Sequence, residues 1–105
     1  MKNDILAVNA HLIARPGCEE KLKARLEQLV RDCRDHQGLL VYRLHQDTEN
    51  PALFVFYEQF ASREAFEDHL NSDELRIFQK EIPGLLDGEG KIYTLKILAD
   101  HNEPA

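Results

Sequence analysis

Residues 53–60, LFVFYEQF, constrain this chain more than any other stretch. On the two-residue period of a strand, Leu53, Val55 and Tyr57 fall on one face and Phe54, Phe56 and Phe60 on the other. A strand apolar on both faces belongs inside a layered structure, because either face left in water wastes hydrophobic burial. Both sides of the sheet that holds it must therefore be covered.

The neighbouring segments say what the sheet is made of. LLVYRLHQ (39–46) reads as a strand, and DTENPA (47–52) is a turn cluster that joins it to 53–60 as a hairpin. ILAVNAHLIA (5–14) reads as a first strand. Its Leu6, Val8, Ala10 and Leu12 face is wholly apolar, and its other face is interrupted by Asn9 and His11. RPG (15–17) ends that strand, with Pro16 suited to a helix start. Cys18, Leu22, Leu26, Leu29, Val30 and Cys33 then form the stripe of a long amphipathic helix, which the glycine of HQG (36–38) stops. Ser62 is placed to cap a helix through Leu70. A helix restarts at Asn71 or Ser72, with Leu75, Ile77, Phe78 and Ile82 as its apolar members. PGLLDGEG (83–90) reads as a loop, KIYTLKIL (91–98) as the last strand, and the tail from 99 to 105 as frayed.

The order is β-α-β-β-α-β in a single domain spanning 1–105. It predicts an α+β, ferredoxin-like fold, with an antiparallel four-stranded sheet carrying its helices on one face. Helices on one face leave the other bare. The simplest cover is the same sheet from a second copy, so the expectation is a C2 homodimer.

Charge removes several partners. A net charge of −6, with basic and acidic residues interspersed, argues against nucleic acid or an anionic membrane surface. No apolar run approaches the roughly 20 residues of a membrane span. MKNDILAV lacks the features of a signal peptide, so a cytoplasmic location is expected. Cys18 and Cys33 lie about 22 Å apart on one helix, too far to pair. With no CxxC or other ligand spacing, they read as buried structural thiols.

One segment is out of keeping. In FEDHLNS (66–72), His69 projects toward the apolar side of its helix with Phe66 and Leu70. An imidazole there is either a base beside a cavity or a core residue bonded to a strand carboxylate, for which Glu58 is the obvious partner. Asn9 poses the same choice, since a polar side chain in an apolar strand is costly unless hydrogen-bonded. His11, His36, His45 and His101 read as edge, loop or surface residues without the spacing of a helical metal site. No metal is assigned.

RPGCEEKLKARLEQLV, followed by GLLVYRLHQDTENPALFVFYEQFASREAFEDHLNSDELRIF, resembles the antibiotic biosynthesis monooxygenase family of small dimeric α+β barrels. The shared features are the Pro-Gly before the first helix, the YxLxxD of Tyr42, Leu44 and Asp47, the FVFYEQF strand and the AFEDHL helix. The resemblance spans roughly residues 5 to 98. It implies a dimer with a pocket between sheet and second-helix region, lined from Asn9, His11, Tyr42, Tyr57, Glu58, Phe60, His69, Leu70 and Phe78. Strand alternation forbids Tyr57 and Glu58 from facing the same side.

Family activities range from cofactor-free oxidation of quinols and polyketides to isomerisation of a phospho-sugar and haem degradation. Two departures bear on the choice. There is no tryptophan; Phe60 and His69 stand in its places. Gln79 stands where the haem degraders carry their iron-ligand histidine, so haem is not expected although Asn9 matches their first-strand asparagine. The resulting expectation is a cofactor-independent monooxygenase-like enzyme acting with molecular oxygen on a quinol or small electron-rich aromatic. His69 and Asn9 are its catalytic candidates, and Tyr42, Glu58, Phe60 and Phe78 its substrate contacts. The alternatives are an isomerase of a small phosphorylated keto-compound, with Arg43, Lys91 or Lys96 supplying charge, and a non-enzymatic dimeric module for a small ligand.

Overall fold

The computed structural model describes residues 4–102. The chain runs β1 (Leu6–Ile13), α1 (Glu19–Cys33), β2 (Leu39–Gln46), β3 (Leu53–Phe60), α2 (Arg63–Leu70), α3 (Asp73–Glu81), a 3-10 turn (Ile82–Leu85) and β4 (Lys91–Lys96). The strands form one antiparallel sheet in the order β2-β3-β1-β4, the ferredoxin-like arrangement. Among the described residues no helix is long and apolar enough to cross a membrane.

The central pairing of β1 with β3 sets Leu6 opposite Phe60, Val8 opposite Glu58, Ala10 opposite Phe56 and Leu12 opposite Phe54. Directly opposed residues share a face, so this set turns together toward the helices. Leu22, Leu26, Leu29 and Cys33 of α1 meet Phe54 and Phe56 in the main core, joined by Leu75, Phe78 and Ile82. Val8, Phe60 and Phe66 form a second cluster under α2. The opposite face carries Asn9, His11, Ile13, Val55, Tyr57 and Tyr93, and no helix covers it.

Several boundaries and orientations differ from the sequence reading. RPG makes a turn, closed by the Cys18 N–H on the Arg15 carbonyl at 2.8 Å, and α1 starts only at Glu19. Cys33 is buried as expected but Cys18 is only half-buried; both are free thiols. β4 ends at Lys96 because Lys96 pairs with Leu6, the first residue of β1, and no strand remains beyond it; Leu98 is exposed. Ile77 is exposed as well: Leu75, Phe78 and Ile82 set the inner stripe of α3, and Ile77 lies about 200° round the helix from Leu75. The loop after α3 contains the 3-10 turn. Residues 103–105 of the expected frayed tail lie outside the described residues.

β2 contains a bulge. Leu39 pairs with Phe60 and Val41 with Gln59, leaving Leu40 unpaired and exposed. The extra residue reverses the alternation, so Leu39 and Tyr42 both face the helices although three positions separate them. Helix starts follow local capping. Ser62 Oγ accepts the Ala65 N–H at 3.1 Å, and Ser72 Oγ accepts the Leu75 N–H at 3.3 Å. The second cap breaks α2 from α3 and leaves His69 in the last turn of α2.

Gly38 fixes the approach of β2 to α2. Its φ is +77°, and a Cβ there would lie 2.5 Å from the Ala65 Cβ. Gly17, at φ +88°, has open space where its Cβ would go. Gly38→Ala should therefore destabilise the fold beyond the roughly 1–3 kcal/mol of left-handed strain alone. Gly17→Ala should cost only that strain. Denaturant midpoints of the two variants check the ordering, and equal losses would contradict the close packing of α2 on this loop.

Candidate functional site

Between the helix-facing side of the sheet and α2–α3 lies a cavity of about 250 Å³. Its wall is mainly apolar, with Val8, Ala10, Phe56, Leu75 and Phe78 among its members. Three side chains bring chemistry to it: Tyr42 from β2, Glu58 from β3 and His69 from α2. Val8, Glu58 and Tyr42 occupy one row across the sheet, so the register itself places the carboxyl beside the phenol.

Glu58 is 6% exposed, and among the described residues its carboxyl makes no hydrogen bond. Burial penalises its charged form and pushes the carboxyl up to about 7. Tyr42 stacks on Phe56 at 5.2 Å and meets the His69 ring edge-on at 5.2 Å. Burial, then the Glu58 charge, raises its phenol, so Tyr42 stays a neutral hydroxyl. The Cys33 thiol beside it is pushed up to about 12, chiefly by burial.

His69 is 3% exposed and held by rings on three sides: Tyr42, Phe60 at 5.2 Å and His36 at 5.1 Å. Its Nδ1 lies 2.9 Å from His36 Nδ1, and His36 Nε2 lies 2.8 Å from Glu74 Oε1. A carboxylate only accepts, so His36 Nε2 carries a proton. In the neutral pair His36 Nδ1 then accepts from His69 Nδ1–H. The remaining His69 nitrogen, Nε2, keeps its lone pair and, among the described residues, makes no hydrogen bond. Burial, reinforced by His36, lowers the His69 imidazole to about 4. The His36 hydrogen bond holds Glu74 below the usual carboxylate range. Ser72 locks this geometry: its hydroxyl donates to the His69 carbonyl at 2.6 Å while capping the helix that carries Glu74.

The predicted site residues divide. Tyr42, Glu58, His69, Leu70 and Phe78 line the cavity. Phe60 does not: it is fully buried behind His69, against Phe66. Asn9 does not either. Val8 faces the helices, so Asn9 turns to the opposite face of the sheet, where its Oδ1 accepts from His11 Nε2 at 2.6 Å. His11 and Tyr57 share that face, His11 edge-on to Tyr93. Strand alternation thus resolves the Tyr57–Glu58 pair in favour of Glu58. The His69–Glu58 bond, one of the two alternatives for this histidine, is absent among the described residues; the imidazole bonds His36 instead. His36, read as a loop residue, was missed. Its only sequence signal is a histidine three residues past the end of a helix stripe, and its partners lie 33 and 38 positions away.

Comparisons agree on the family. The antibiotic biosynthesis monooxygenase family model matches residues 5–81. A Pseudomonas aeruginosa protein of known structure is 34% identical, with a TM-score of 0.87 over 94% of this chain and 99% of that one. A Mycobacterium tuberculosis structure shares the fold at 23% identity and a TM-score of 0.86, over 93% of this chain and 99% of that one. A structure described as an antibiotic biosynthesis monooxygenase does so at 22% and 0.83, over 90% of this chain and 99% of that one. No curated protein matches the chain. The chain belongs to the antibiotic biosynthesis monooxygenase family.

Glu58 and His69 make opposed contributions to stability as pH changes. Folding raises the Glu58 carboxyl from 4.5 to about 7. Its contribution is complete below the lower value and is lost as pH rises through the upper one. Folding lowers the His69 imidazole from 6.5 to about 4. Its contribution is complete above the upper value and is lost as pH falls through the lower one. Between about pH 4.5 and 6.5 the two slopes offset each other. Glu58→Gln should give a urea midpoint that rises with pH across this window, and His69→Gln one that falls. Curves parallel to the parent for both variants would contradict the assigned shifts.

Proposed function

We propose that this protein is a cofactor-independent monooxygenase-like enzyme that oxidises a quinol or similar small electron-rich aromatic, working as a homodimer. The observation that carries the reading is an unpaired imidazole nitrogen, His69 Nε2, left for an apolar cavity while the rest of the ring is wired through His36 to Glu74.

The reaction needs a proton removed from a phenol so that the anion can pass an electron to oxygen. His69 Nε2 takes that proton. Alone it is a weak base, because burial penalises imidazolium. As Nε2 gains a proton, Nδ1–H passes to His36 Nδ1, and the positive charge comes to rest next to the Glu74 carboxylate. That ion pair is partly exposed, so the proton has a way out. The aromatic anion passes one electron to oxygen, the two radicals combine as a peroxide anion, and that anion takes a proton back from the imidazole pair to become the hydroperoxide. Loss of water leaves the carbonyl: quinol plus O2 gives hydroxyquinone plus H2O. Neutral Tyr42 and protonated Glu58 are donors for oxygens that gain charge on the way. The apolar wall keeps water from the reactive anion.

Of the cations the isomerase alternative needs, Lys91 borders the cavity among the described residues, but its pairing with His11 turns its side chain to the opposite face, where Arg43 also lies. The dimer is supported by the helix-free sheet face, where Ile13, Tyr93 and Leu95 remain 46%, 48% and 42% exposed. Apolar area of that kind is what a second sheet would cover.

Oxygen uptake with a panel of reduced quinones and anthrols, without added flavin or metal, tests the reaction. Uptake above the spontaneous rate should fall about 10²–10⁴-fold in His69→Ala, and substantially in His36→Gln, which does not touch the cavity. No uptake with any compound, or uptake retained in a folded His69→Ala, would sink the reading. Light scattering should give twice the 12.1 kDa chain mass and a monomer for Val55→Asp; a monomeric parent at micromolar concentration would refute the dimer.

A further inference from the structure

We propose that Cys33, His36 and His69 form a binding site for a borderline-soft divalent cation of the zinc type. A sulfur and two ring nitrogens from these residues lie within 4.8 Å of one another. Around a tetrahedral zinc, with Zn–S about 2.3 Å and Zn–N about 2.0–2.1 Å, ligand atoms stand roughly 3.3–3.6 Å apart. The two imidazole nitrogens start at 2.9 Å. They need only a small separation, and the sulfur an approach of at most about 1.2 Å.

The surroundings fit a metal as well as the ligands do. Histidine ligands commonly donate their second N–H to a carboxylate, which fixes the ring and strengthens it as a ligand. His36 already makes that bond, Nε2–H to Glu74 at 2.8 Å. Two imidazoles and a thiolate select zinc, cobalt or copper over magnesium or calcium, which want oxygen. His36 and Glu74 retain side-chain exposure of 17% and 39%, giving the cation an approach from solvent.

Binding has a definite proton balance. The Cys33 thiol releases its proton. His36 Nδ1 already offers a lone pair. The His69 proton moves from Nδ1 to Nε2, so Nδ1 can ligate. One proton therefore leaves per cation bound. His69 Nε2 then points a donor, not an acceptor, toward the cavity. If His69 is the base proposed above, the bound cation switches it off; binding itself does not depend on that reading.

Cobalt(II) titration of metal-free protein provides the test. The expected result is one cobalt per chain, with a near-ultraviolet thiolate-to-cobalt band, displaced by zinc and untouched by magnesium. Cys33→Ser, checked for folding by circular dichroism, should lose the band. His36→Gln should lose tight binding, and Glu74→Gln should weaken it about 10–100-fold. If Cys33→Ser fails to fold, His36→Gln decides. Absence of the band, binding unchanged in these variants, or binding abolished by His45→Gln or His101→Gln would overturn the site. The band is read without turnover, so its failure is distinct from failure of the oxygenase reading.

Discussion

The pairing of Val8 with Glu58 at the centre of the sheet governs everything else in this molecule. Once β1 and β3 are locked in that register, each side chain on both strands is committed to one of two faces. One face receives the phenylalanines and the helices. The other keeps Asn9, His11, Val55 and Tyr57. A one-residue slip of β1 would bury Asn9 under the helices, and one of β3 would bury Gln59 there and put Phe54, Phe56 and Phe60 on the uncovered side. The core is therefore the reason that Glu58, and not Tyr57, reaches the cavity.

The cavity concentrates the groups that a stable core would avoid. An unpaired carboxyl, a neutral tyrosine and a histidine that resists protonation share one apolar space. Burial alone displaces Glu58 and His69 toward their uncharged forms, one upward and one downward. At neutral pH the imidazole therefore holds a lone pair, while the carboxyl lies close to its own titration point, between a proton donor and an acceptor. The α2–α3 break completes the arrangement. Because Ser72 both accepts from Leu75 and donates to the His69 carbonyl, the end of one helix and the start of the next move together, and His69 keeps its alignment with Glu74 through His36.

Family membership explains the scaffold better than the chemistry. The Pseudomonas aeruginosa relative and the more distant structures share the fold. Reaction type rests on individual side chains set into that scaffold. In this chain the titratable side chains gathered at and beside the cavity are His69, Glu58 and the loop histidine His36. Cys33 and Tyr42 form a further buried polar contact next to them.

The sequence by itself determined the element order, the hairpin, the Ser62 cap, the α1 stripe and the apolar second face of β3. All of these are written in periods of two or 3.6 residues and in capping chemistry that acts over a few positions. It also marked His69 and Glu58, because a titratable residue on an apolar face stands out locally. Tertiary structure decided the rest. Leu39 and Tyr42 share a face only because β2 bulges at Leu40. Asn9 leaves the site only because Val8 takes the inward position opposite Glu58. The His36–His69 contact, with Cys33 alongside, joins a helix end, a loop and a second helix. No local pattern encodes it, because it exists only where the packing of α1 and α2 on one sheet face brings those segments together.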